Sequence, residues 1–322
     1  MRAIVQNQYG PAQKVLQLKE IPSPEPTASE VLIRIKATAI NDYDWSLTTG
    51  RPLAYRLMFG LMKPKNPIPG MEIAGVIERI GSDVDDFKVG DEVYGDISDH
   101  GFGGFAELVA IHEKAIRLKP KHLSFVEAAA IPHAGLLAWQ GLIKMGGLSS
   151  NQKVLINGAG GGVGAIAIQL AKTYSCEVTA VDAEEKAERM KALGADHTLD
   201  YRKQDFTKLK IRYDLILDCK TSASPRSYLK VLEKHGRYIS IGGNATLLIR
   251  MVLYRLVRSK SIKNKLQILA LKVNHDLKEV VEYFEEHQIR VAIDGPYSLA
   301  EIPRLVQYFG EGKHHGKVVV IP

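Results

Sequence analysis

The stretch Val154-Leu155-Ile156-Asn157-Gly158-Ala159-Gly160-Gly161-Gly162-Val163-Gly164 constrains this chain more than any other. A continuous apolar run predicts a buried strand, the glycines a turn that no side chain obstructs, and Gly162–Lys172 a helix. Gly158, Gly161 and Gly164 stand three apart. The early glycines permit a tight turn and close backbone approach to a pyrophosphate, while Gly164 lets the helix pack against the strand. Gly162 and Val163 open that helix, whose N-terminal N–H groups and partial positive charge suit phosphate. The next predicted strand, Val178–Val181, ends in Asp182, an acid at the spacing of a ribose-binding carboxylate. The stretch reads as a dinucleotide-binding turn. The competing reading is a structural glycine turn.

Around this turn the chain changes character. Arg2–Val5, Val31–Ala37, Ile73–Ile80 and Asp91–Tyr94 are short predicted strands cut by Gly81, Gly90 and Gly95, a pattern of a partly open barrel. Ser124, with Glu127 three residues on, predicts a helix start. From Lys153 onward continuous apolar strands (Val154–Ile156, Val178–Val181, Leu215–Leu217, Tyr238–Ile241) alternate with helices (Gly162–Lys172, Glu184–Leu193, Arg226–Glu233), which predicts a doubly wound parallel sheet. A tail follows with helices at Leu277–His287 and Ala300–Phe309 and strands at Val291–Ile293 and Lys317–Ile321. The expected class is therefore α/β, with a β-barrel domain at 1–124, a dinucleotide-binding domain at 125–272, and residues 273–322 returning to the first domain.

Composition excludes several alternatives. The 322 residues suit about two domains of roughly 150 residues. With 45% hydrophobic and 25% charged residues, a disordered or low-complexity chain is ruled out. Cys176 and Cys219 are too few for a disulfide framework or a four-thiolate zinc site, and both read as small core residues. The start shows no apolar core of secretion-signal length, and the most apolar stretch, residues 245–257, is interrupted by Arg250 and Arg255 and is too short to span a bilayer. A soluble cytoplasmic protein is expected. The net charge of +7 is local: nine Lys and Arg and no Asp or Glu lie between Lys234 and His275, so the rest of the chain is slightly acidic. The total charge thus gives no ground for a general nucleic-acid-binding surface.

Several ordered motifs extend the reading: Ala39-Ile40-Asn41, Pro69-Gly70-Met71-Glu72, Val89-Gly90-Asp91-Glu92-Val93, Gly103-Gly104-Phe105-Ala106-Glu107, the run from Leu123 to Pro132, Lys191-Ala192-Leu193-Gly194-Ala195-Asp196, and Gly316-Lys317-Val318-Val319. With the glycine turn they make the chain resemble the medium-chain dehydrogenase/reductase superfamily, and most its zinc-independent quinone oxidoreductase branch, the zeta-crystallin-like proteins. The resemblance covers essentially the whole chain. It implies a GroES-like domain wrapped around a Rossmann domain, with the coenzyme in the cleft. It also implies that Lys186 and Tyr201 hold the 2′-phosphate of NADPH. Asp182 departs from the small residue usual there; a carboxylate suits NADH, so NADPH is the expected cofactor and NADH the alternative. A homodimer through the sheet edge near Gln267–Leu271 is likewise implied.

Zinc-dependent members of the superfamily ligate metal through an early Cys, a His in Gly-His-Glu and a later Cys or Asp. This chain has Asn41-Asp42-Tyr43-Asp44, Gly70-Met71-Glu72 and Pro132-His133 at those regions, so no metal is expected. Catalysis then rests on positioning and on the nicotinamide's own hydride chemistry, which suits acceptors needing little carbonyl polarisation. Asn41 matches a family active-site Asn able to hydrogen-bond a substrate oxygen or the carboxamide. Tyr43 is the candidate proton donor or stacking group; a core aromatic is the competing reading. His133 as an acid stands against the commoner satisfied interior histidine. Gly242-Gly243 allows backbone approach to the nicotinamide, or is a plain turn. The apolar run Leu53–Met62 lines an acceptor pocket or packs in the core. Arg250, Arg255 and Arg258 share one face of the predicted helix Leu247–Arg258, which either touches an anionic membrane weakly or is a solvated face and subunit contact.

The expected activity is metal-free, NAD(P)H-dependent hydride transfer to quinones or α,β-unsaturated carbonyl compounds, with a small apolar quinone or enone as substrate and no stable nucleic-acid partner. The alternatives are a 2-alkenal or enoyl reductase, or a non-catalytic dinucleotide- and RNA-binding protein. The acid-free stretch favours the last, yet it offers only Tyr238 and Tyr254 for base stacking.

Overall fold

The structure, a computed structural model, describes the backbone of residues 1–322 and all side chains except those of Ala54, Met58 and Ala245. The chain divides into two compact units. One comprises Met1–His133, Val273–His275 and Ile293–Pro322; the other comprises Ala134–Lys272 and Asp276–Ala292.

In the first unit the strand Glu30–Ile40 organises a seven-stranded sheet. Its length lets it pair antiparallel with Glu72–Ile80 along almost its whole length, and also with Leu108–His112 over Glu30–Arg34 and with Lys317–Ile321 over Thr38–Ile40. Val31, Ile33 and Ile35 point into a core with Ile73, Ile77 and Val93, as alternation demands. Two charged residues stand at the heads of apolar strands: Glu72 and Lys317 are 0% and 3% exposed. The helix Asp42–Thr49 follows at once from the end of the central strand.

The second unit holds six parallel strands in the spatial order His197–Asp200, Glu177–Asp182, Lys153–Asn157, Tyr213–Asp218, Leu232–Ser240, Leu266–Ile268. The order reverses at Lys153–Asn157, and a doubly wound sheet binds its ligand beyond the carboxyl ends of the strands at such a reversal. The helix Gly162–Thr173 buries Ile166, Ile168 and Leu170 completely, at roughly 1.5–3 kcal/mol of stabilisation for each large side chain.

The α/β class and the parallel sheet are as expected, with local differences. The helix expected to reach Glu233 ends at Lys230, because Val231 and Leu232 are drawn into the sheet, where Leu232 pairs with Tyr213. The expected helix from Glu184 starts as a 3-10 turn, Glu184–Lys186, before Ala187–Ala192. Residues 276–292, expected to return to the first domain, belong to the second unit. Val280, Val281 and Phe284 of the helix Leu277–Glu286 are buried, and Tyr283 packs 5.0 Å from Trp139 and hydrogen-bonds Thr173. The first unit extends to His133, past the expected boundary at 124.

Candidate functional site

Two clusters of chemistry-bearing residues are built, one in each unit. In the second, Gly158 has φ +81°, and its N–H donates to Val181 O at 2.9 Å. A Cβ on Gly158 would sit 3.0 Å from Cys219 Cβ, and one on Gly164 would strike the backbone of Gly158 and Ala159. Both glycines are required by the packing. Gly161 caps the helix, Gly162 and Val163 start it, and no side chain caps its N–H groups.

Asp182 reaches back to this turn. Its Oδ2 accepts from Gly160 N–H at 2.8 Å, and its Oδ1 accepts from Ala183 N–H at 2.8 Å. Lys186 Nζ lies 3.6 Å from Oδ1, and both side chains are largely buried. Tyr201 donates its N–H to Asp182 O at 3.2 Å, while its side chain is 60% exposed. The structure thus brings Gly158–Gly164, Asp182, Lys186 and Tyr201 to one edge. Gly242 and Gly243 follow the strand Leu232–Ser240 and pack on Thr221, which donates to Gly242 O at 3.0 Å; Gly243 has φ +128°. A Cβ on Gly243 would strike Thr221.

Beneath the strand ends lies a buried network that sequence reading missed. Asp218 accepts from Asn157 Nδ2 at 2.7 Å, Lys220 N at 2.9 Å and Tyr238 OH at 2.7 Å. Burial pushes its carboxyl above the usual range despite these donors. An Asp closing the apolar strand Leu215–Leu217 was the available signal.

In the first unit, Asn41 follows the central strand and caps the helix Asp42–Thr49. It is 4% exposed. Its Nδ2 donates to Glu72 Oε2 at 2.7 Å, and its Oδ1 accepts from the Lys317 ammonium. Lys317 also pairs with Glu72, whose Oε1 accepts from His133 N–H at 2.6 Å. Asp44 accepts from Asn41 N–H at 2.9 Å and Gly70 N–H at 3.1 Å. Burial outweighs those bonds and pushes the Asp44 carboxyl up to about 7.

His133 sits beside this group. Its Nδ1 is 3.0 Å from buried Asp96 Oδ2 and its Nε2 is 3.7 Å from exposed Asp42 Oδ1. Burial works against its charge, but the two carboxylates prevail and raise it to about 10. His133 is therefore an imidazolium at neutral pH. Tyr43 lies edge-on to His133 at 6.3 Å and stacks on Tyr55 at 5.7 Å; burial lifts its hydroxyl to about 12.

The apolar run Leu53–Met62 only partly lines a recess. Phe59, with Gln6, Tyr9, Leu47, Pro64, Asn66, Pro69 and Phe102, borders a small recess. Leu53, Leu57, Leu61 and Met62 instead face outward, 64–83% exposed, and the side chains of Ala54 and Met58 lie outside the described residues.

Residues 27–121 match the alcohol dehydrogenase GroES-like domain, and residues 193–320 match a zinc-binding dehydrogenase family. A chloroplastic quinone oxidoreductase of Triphysaria versicolor is 34% identical across the whole chain and 98% of its own length. A chloroplast envelope quinone oxidoreductase homolog of Arabidopsis thaliana is 31% identical, with coverage of 100% and 98%. A chloroplastic NADPH-dependent alkenal/one oxidoreductase of Arabidopsis thaliana is 30% identical, over 100% of this chain and 80% of that one. The solved quinone oxidoreductase of Coxiella burnetii superposes with a TM-score of 0.87 at 28% identity, covering 100% and 99%.

The two folds and their glycine turn define an oxidoreductase of the medium-chain dehydrogenase/reductase class, a GroES-like domain joined to a Rossmann sheet. Within that class the chain belongs to the zinc-independent quinone oxidoreductase branch. The cytoplasmic expectation is overturned: these plant relatives are chloroplastic proteins.

The residues do not fit a zinc ion despite the name of one matching family. Met71 is buried among Leu47 and Phe102, and the Glu72 carboxylate and Asn41 amide already hold the Lys317 cation. They do fit a dinucleotide, because among the described residues no side chain caps the N–H groups that open the helix Gly162–Thr173, where a phosphate would sit.

Proposed function

We propose that the chain reduces quinones and α,β-unsaturated carbonyl compounds with NADPH, NADH being the alternative donor, and without a metal. The observation that carries this reading is the turn Gly158–Gly164 with Asp182 and Lys186 at its edge. When bound, the reduced nicotinamide supplies the hydride.

The turn and the first turn of the helix Gly162–Thr173 bind the pyrophosphate. Lys186 and Tyr201 receive the 2′-phosphate. Asp182 opposes that phosphate less than a bare carboxylate would, since Gly160 and Ala183 hold its oxygens inward and Lys186 offsets its charge. The NADPH-dependent relative supports this choice. Gly242 and Gly243 serve the coenzyme as a shaped turn.

In the first unit Tyr43 holds its proton to about pH 12 and His133 to about pH 10, so both are protonated donors at neutral pH. Tyr43 is the catalytic candidate, because it offers ring and hydroxyl. Asn41 is a positioning residue, its amide engaged by Lys317 and Glu72. A conjugated acceptor fits this equipment, whose cation is buried and engaged rather than open to polarise a carbonyl. A 2-alkenal or enone as the favoured acceptor is the second reading, supported by the alkenal/one relative. RNA binding loses support, since Tyr238 is fully buried and Tyr254 is covered by Arg258. The edge strand Leu266–Ile268 is the candidate dimer contact, and the chloroplastic relatives favour a plastid setting.

The test is coenzyme oxidation with a quinone, an enone and a simple aldehyde, with and without chelator. Quinone- or enone-dependent oxidation of NADPH, indifferent to chelator, is expected. Loss of activity on chelation, or no heat of binding with either coenzyme, overturns the reading.

A further inference from the structure

The helix Ala245–Leu256 is apolar on two faces. Met251 is buried and Tyr254 half-buried against the core of the parallel sheet. Ile249, Val252, Leu253 and Leu256 recur at i, i+3, i+4 and i+7, which places them on a single stripe. That stripe points outward: its members are 57%, 43%, 58% and 65% exposed, and Val257 just beyond is 79% exposed. A surface helix of a water-soluble domain ordinarily turns polar residues to solvent, so this one is inverted.

The charged residues of this stretch of the sequence are all positive. Arg250, Arg258 and Lys260 are exposed, and Arg258 also lies 4.6 Å over the Tyr254 ring. No Asp or Glu occurs between Lys234 and His275.

We propose that this face docks reversibly on an anionic lipid bilayer. Ile249, Val252, Leu253, Leu256 and Val257 enter the boundary between headgroups and acyl chains, and Arg250, Arg258 and Lys260 meet the lipid phosphates. A bilayer accepts both parts at once. A second copy matches less well, because an isologous contact would set the same cations against each other. Five apolar side chains make the attachment shallow, so it is salt-sensitive. The docking does not depend on which coenzyme or acceptor the chain uses.

The experiment is flotation of the full chain with vesicles of phosphatidylglycerol and phosphatidylcholine, against phosphatidylcholine alone, at low and high salt. Two variants accompany it, Leu253→Asn/Leu256→Asn and Arg250→Glu/Arg258→Glu, all four sites being exposed. The wild-type chain is expected to float only with anionic vesicles at low salt, and each double variant to lose the bound fraction by about fivefold or more. Circular dichroism and sedimentation mass stay unchanged. No binding to anionic vesicles, or equal binding by well-folded variants, refutes the proposal. So does a fall in sedimentation mass for Leu253→Asn/Leu256→Asn, which assigns the face to a contact between copies.

Discussion

Lys317 and Glu72 form an ion pair with almost no access to water, their side chains 3% and 0% exposed. The pair closes a set of contacts that includes Asn41 and the His133 backbone. Removing one charge leaves the other buried and uncompensated.

Lys317→Met should therefore destabilise the fold by ~3–5 kcal/mol, and Lys317→Met/Glu72→Met should recover part of that loss. Urea unfolding midpoints check it. A double variant less stable than the single would show that the pair is more than mutual compensation.

The His133 imidazolium gives stability a pH dependence. Its pKa is raised to about 10 in the folded chain, against 6.5 ordinarily. Folding binds this proton more tightly, so the stabilisation is complete below pH about 6.5 and is lost as pH rises toward about 10. Urea midpoints of the wild-type chain should fall across that window, and those of His133→Gln should fall less. Parallel slopes would contradict the assignment.

Gly164→Val should abolish coenzyme binding, because the added carbons strike the backbone of Gly158 and Ala159. Gly158→Ala meets a milder conflict, a positive φ and a 3.0 Å contact with Cys219, and should cost ~1–2 kcal/mol of stability. Calorimetric titration with NADPH and thermal melts read the two effects separately.

Lys186→Ala should weaken NADPH binding by about tenfold, or ~1.4 kcal/mol, and NADH binding much less. Asp182→Ser should weaken both coenzymes, because Asp182 holds the N–H groups of Gly160 and Ala183. Dissociation constants for both coenzymes decide each case. Equal losses for Lys186→Ala would remove it from the 2′-phosphate.

The glycine turn was legible because it is local. An eleven-residue run of strand, turn and helix start, and the acid on the neighbouring strand, declare themselves through spacing. Asp182 shows the limit: its position was predictable, but its engagement with Gly160 N–H was not. The apolar run Leu53–Met62 was misleading, since hydrophobicity alone cannot tell a lining residue such as Phe59 from exposed Leu57.

Sequence by itself determined the alternation of elements, the strand–glycine turn–helix and the family, all of which are written in short-range pattern. Only the tertiary structure decided that Lys317 meets Asn41 across 276 residues of chain, that His133 lies between Asp96 and Asp42, and that the helix Ala245–Leu256 turns an apolar stripe outward. Such pairings depend on strand register and on which face the core claims, and both are settled by burial of the whole chain rather than by any segment of it.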